Sequence, residues 1–70
     1  MPNSTNNRAA TALAITENGR RVLVVARGKQ YIFSSVRLEK EGFDQLLVGI
    51  DETGTDRFVL SREIEQVSQL

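Results

Sequence analysis

The chain has 70 residues, nine basic and nine acidic side chains, and neither cysteine nor histidine. A chain this short holds one core and buries roughly 60% of its unfolded surface, so its stability as a monomer is modest and self-association is expected to add to it. Without thiol or imidazole it has no disulfide, no zinc-thiolate site and not the commonest general base; no enzyme activity, cofactor, metal or small-molecule substrate is expected.

In chain order, residues 1–8 are polar and read as a disordered lead, with residues 9–70 forming the single domain. Met1-Pro2-Asn3-Ser4 and the residues after it lack the basic-then-apolar layout of a secretion signal. The longest apolar run, Val22 to Ala26, falls far short of the ~20 residues that cross a bilayer. A cytoplasmic protein with no membrane partner is expected.

Residues 8–18 have two readings. Alternation around Leu13 and Ile15 followed by Asn18-Gly19 gives a strand entering a type I′ hairpin turn. Asn7 as N-cap, the apolar Ala9, Ala10, Leu13 and Ala14, and Gly19 just past the end give a helix. The strand is favoured, because Asn-Gly leads directly into the β-branched run Val22-Leu23-Val24-Val25, which is apolar on both faces as in a central strand.

Gly28-Lys29 turns the chain into a strand over Gln30 to Leu38, with Ile32, Val36 and Leu38 on one face and Tyr31, Phe33, Ser35 and Arg37 on the other. Residues 39–44 read as a charged loop. Gln45 to Asp51 follows with Leu46, Val48 and Ile50 inward, and Gly49 marks a bulge or a close approach of backbones. A tight turn at residues 52–55 leads to a short strand, Asp56 to Leu60, with Phe58 and Leu60 inward. Ser61 then caps one helical turn, Arg62 to Glu65, before a last strand over Val67 to Leu70. Val22, Val24, Ile32, Val36, Leu46, Val48, Ile50, Phe58, Leu60 and Ile64 are the expected core.

This layout is mainly β: a small barrel of five to six short antiparallel strands with one helical turn before the last. The stretch Arg57-Phe58-Val59-Leu60-Ser61-Arg62-Glu63-Ile64-Glu65-Gln66-Val67 resembles the closing strand, turn and strand of an SH3-like barrel, a likeness covering about residues 20–70. With residues 8–18 helical, the order of a helix then five strands is similar to the Sm-like family, which includes the bacterial Hfq RNA chaperones. The Arg27-Gly28-Lys29 turn then falls where that family has its Gly-containing turn. The chain has no Tyr-Lys-His type motif in its last hairpin and has Phe33-Ser34 where a family glycine often bends the second strand, so no RNA-contact residue is carried over. The resemblance implies a binding or assembly module.

Charge is unevenly distributed, with seven basic residues against two acidic in residues 1–40 and two against seven in residues 41–70. Unless the halves interleave in the fold, this gives a bipolar surface suited to head-to-tail association into a ring. Arg20, Arg21, Arg27, Lys29 and Arg37, with Tyr31 and Phe33, form a candidate basic and aromatic face for RNA or DNA, because aromatic rings stack unpaired bases while arginines hold phosphates. The competing reading places both rings in the core and leaves the arginines solvated. Asp51, Glu52 and Asp56 around Gly54 match no calcium loop and suit turn geometry. Ser34, Ser35 and Ser61 have no motif-placed base. The expectation is thus a homo-oligomeric, non-catalytic binding module whose basic side contacts RNA or DNA, the alternative being a protein–protein or dimerisation module.

Overall fold

The computed structural model describes residues 4–70, with side chains from Arg8 onward. A helix, α1 (Ser4–Glu17), precedes five strands: β1 (Val22–Ala26), β2 (Lys29–Glu41), β3 (Asp44–Asp51), β4 (Asp56–Leu60) and β5 (Ile64–Gln69), with a 3-10 turn, Ser61–Glu63, between the last two. The strands form one antiparallel sheet in the order β4-β3-β2-β1-β5. The mainly β class with a helical turn before the last strand is as expected, with five strands.

The first expected strand is instead α1, which starts at Ser4, inside the stretch read as a lead; residues 1–3 lie outside the described residues. Asn18-Gly19 is accordingly no hairpin turn. Gly19, at φ 79°, is the left-handed residue just past the helix, and its N–H donates to the Thr16 carbonyl at 3.0 Å while the Arg20 N–H donates to that of Ile15 at 3.2 Å. This pair of bonds is the Schellman pattern that satisfies the last helical carbonyls. Ala9 and Ala12 are fully buried, so α1 lies close against the sheet, and Arg8 Nη1 donates to the Ile64 carbonyl at 3.0 Å.

The two-residue turn with positive φ at both positions lies one hairpin later, at Arg27 (φ 53°) and Gly28 (φ 74°), where Ala26 pairs with Lys29. The expected loop over residues 39–44 is also tighter than read. Glu41 pairs with Asp44, and Gly42 at φ 62° makes the turn with Phe43. Ser61 is not a cap: Leu60 holds that position, and the Ser61 hydroxyl is buried without a hydrogen-bond partner.

Strand β2 changes partner along its length. Lys29 to Phe33 pair with β1, Phe33 to Glu41 pair with β3, and the register shifts between Phe33 and Ser35. The extra residue, Ser34, lets Phe33 and Val36 both face the core although they stand three apart. That core joins α1 to Val22, Val24, Ala26, Phe33, Val36, Leu47, Val59 and Ile64. Gly49 is a close approach: a Cβ there would clash with the Phe33 ring.

Half of the expected core is therefore corrected. Val22, Val24, Val36, Val48 and Ile64 are buried, but Ile32, Leu46, Ile50 and Leu60 are only partly so, and Phe58 is 61% exposed. Leu47, Val59 and Phe33 take the interior positions in their place. Cross-strand pairing of Leu46 with Leu60 and of Val48 with Phe58 puts these four on the sheet face opposite Leu47 and Val59.

Candidate functional site

The stagger of β2 creates a cleft. Pairing between β2 and β3 ends at Phe33 and Asp51, which leaves residues 29–32 without a β3 partner, and the β3–β4 turn lies alongside that bare edge. The open space between them measures about 650 Å³, with Lys29, Tyr31 and Ile32 on one side and Asp51, Arg57 and Phe58 on the other.

Asp51 organises the far wall. Its Oδ1 accepts from the Thr53 N–H at 2.9 Å, the Thr53 hydroxyl at 2.6 Å and the Thr55 N–H at 3.0 Å. Its Oδ2 accepts from Arg57 Nε at 2.9 Å. The Thr53 hydroxyl, the Arg57 guanidinium and the Thr55 N–H, in that order, stabilise the carboxylate and hold its pKa far below the ordinary Asp range. The acidic residues around Gly54 thus serve turn geometry, with Asp51 as the organiser.

On the near wall, the Tyr31 ring is half-buried and stacks on Phe33, with centroids 5.7 Å apart and planes 22° from parallel. Phe33 is fully buried, so its ring cannot receive a base; the reading of Phe33 as a stacking platform is corrected, and its place is under Tyr31. Phe58, across the cleft, supplies the second accessible ring.

The seven residues expected on one face are dispersed. Lys29 and Tyr31 line the cleft, and Arg21 reaches its rim through an ion pair with Glu52 at 2.8 Å. Arg20, Arg27 and Arg37 do not line it: Arg20 follows the helix, Arg27 stands 3.9 Å from Glu63, and Arg37 pairs with Glu39 at 2.6 Å. The acidic-half strands β3, β4 and β5 flank β1 and β2 on both sides, so the halves interleave and the bipolar surface does not form. Neutralised, exposed pairs of this kind add little to stability and offer little net field to a polyanion.

No family model, curated protein or solved structure matches this chain. Sequence reasoning missed Arg57 and Phe58, because alternation in Phe58-Val59-Leu60 fits either face. The available signal was the polar, turn-adjacent Asp56-Arg57 pair directly before Phe58.

Two further surfaces stand out. The order β4-β3-β2-β1-β5 leaves one side of β4 and one side of β5 without a neighbouring strand. Phe43, at the tip of the β2–β3 hairpin, is fully exposed.

Proposed function

We propose that this protein is a non-catalytic binding and assembly module whose cleft between β2 and the β3–β4 turn holds a single strand of RNA or DNA, and whose copies associate through the free edges of the sheet. The observation that carries the first part is the cleft itself, where two accessible rings, Tyr31 and Phe58, stand with two cations, Lys29 and Arg57. Stacking on such rings contributes roughly 1–3 kcal/mol per base and tolerates any sequence, while Lys29 on the β2 wall holds phosphate and Arg57, paired with Asp51, faces a base. Two rings and two cations suit a short contact. The order of a helix then five strands is also the one on which the resemblance to Sm-like proteins depends.

Assembly follows from the edges. Unpaired N–H and C=O groups along β4 and β5 are templates for another strand, and pairing the β4 edge of one copy with the β5 edge of the next is a heterologous contact that closes into a ring when the rotation permits. Neither edge is blocked by proline. A second reading, a protein–protein module with no nucleic-acid role, is favoured by the same edges and by the internal pairing of Arg21, Arg27 and Arg37.

Binding of a fluorescent 12-nucleotide single-stranded RNA separates the two. The proposed function expects Phe58→Ala to weaken binding by roughly fivefold or more, in line with the loss of one stacked base, without changing the particle mass in sedimentation. An undiminished affinity would remove the cleft from the function, and a particle of one chain mass at micromolar concentration would remove the assembly.

A further inference from the structure

The two oxygens of Asp51 do different work. Oδ1 gathers three donors from Thr53 and Thr55 and shapes the turn, whereas Oδ2 is committed to Arg57 Nε. A guanidinium carries five N–H donors in a rigid planar fork. With Nε–H engaged by Asp51, the fork is fixed in orientation, and the four N–H donors of its terminal amino groups make no other hydrogen bond to the described residues. Arg57 lines the cleft and its side chain is half exposed, so those donors are available to a ligand between Tyr31 and Phe58.

We propose that Arg57, held by Asp51, makes the cleft selective for guanine over adenine; this rests on the reading of the cleft as a nucleic-acid site. Guanine presents two adjacent acceptors, O6 and N7, that match the terminal fork of an arginine, whereas adenine replaces O6 with an amino donor that opposes it. Asp56, a carboxylate on the same lining, offers acceptors to the N1–H and amino group of guanine, for which adenine has no equivalent pair of donors. The carboxylates of Glu52 and Asp56 also disfavour phosphate at this wall, so a base and not the backbone enters here. Arg57 is the specificity-determining contact and Asp51 is a positioning residue acting through it.

The test measures fluorescence anisotropy of the full chain with two labelled 12-nucleotide RNAs, one alternating G and U and one alternating A and U. The wild type is expected to bind the G-containing strand about tenfold more tightly, the discrimination of one bidentate pair. Replacing guanine by 7-deazaguanine, which lacks the N7 acceptor, lowers that ratio. Arg57→Lys, which keeps the charge but not the fork, lowers it as well. Asp51→Asn keeps a carbonyl acceptor for Thr53 and Thr55 but presents an amide donor to Arg57, so it lowers the ratio while the circular dichroism spectrum stays that of the wild type. Equal affinity of the wild type for the two RNAs overturns the guanine selectivity and leaves the nucleic-acid reading standing; no binding to either overturns both. A ratio unchanged in Arg57→Lys, or in Asp51→Asn, overturns the role given to that residue.

Discussion

Strands β1 and β3 are both apolar in both phases, yet only in β1 is the whole phase expected to face inward buried. Val22, Val24 and Ala26 are buried and Leu23 and Val25 half-buried, as the spacing implies. In β3 the run Leu46-Leu47-Val48 is apolar in both phases: Leu47 joins the core with its partner Val59, Val48 is buried on the other face, and Leu46 and Leu60 are only partly covered. Strand period is a property of the backbone, but which phase faces inward depends on what covers the sheet. On β1, β2 and β5 that cover is α1, and placing residues 8–18 in the sheet removes it.

The sharpest test contrasts two phenylalanines. Phe33→Ala empties a fully buried position and is expected to cost about 3–5 kcal/mol, enough to unfold most of a domain this size. Phe58→Ala, on the face away from α1, is expected to cost under about 1 kcal/mol. Thermal melts read the contrast directly, since 1 kcal/mol moves the midpoint of a 60–100-residue domain by roughly 4–8 °C. Equal shifts would mean that Phe33 and Phe58 do not lie on an inner and an outer face.

A smaller effect is expected at the helix end. Gly19→Ala forces a Cβ into the left-handed region at φ 79°, at a cost of roughly 1–2 kcal/mol. Gly19 has no heavy atom within reach of an added Cβ, so the loss reports backbone conformation alone. A neutral substitution would show that Gly19 does not hold the left-handed conformation that ends α1.

The smallest expected effect concerns acid. The folded state depresses the Asp51 pKa, so it favours the charged carboxylate more than the unfolded chain does. The resulting stabilisation is complete above the ordinary Asp range near ~4 and is lost as pH falls below it toward the folded pKa. Urea melts between about pH 5 and pH 2 should therefore fall more steeply for the wild type than for Asp51→Asn, which has no carboxyl to titrate at that position. Parallel curves would show that the turn does not depend on the Asp51 charge.

Much of the outline is legible without coordinates. The apolar runs separated by Gly28, Gly42 and Gly54 mark four of the five strands, and Ile64 closes the core after the 3-10 turn. The basic and aromatic candidates were legible only as residue types. Lys29 and Tyr31 meet Arg57 and Phe58 because β2 exchanges β1 for β3 at Ser34, and nothing in a linear pattern announces that one-residue shift.

By itself, the amino-acid sequence determined the class, the approximate strand segments and the absence of thiol and imidazole chemistry, because these depend on composition and on periods of a few residues. Only the tertiary structure decided that residues 4–17 are helical, which phase of β3 and β4 is interior, and which charges neutralise one another. Those outcomes turn on contacts between residues far apart in the chain. Asn-Gly stabilises a hairpin turn or a helix end equally well, and the packing of Ala9 and Ala12 against the sheet selects the helix end.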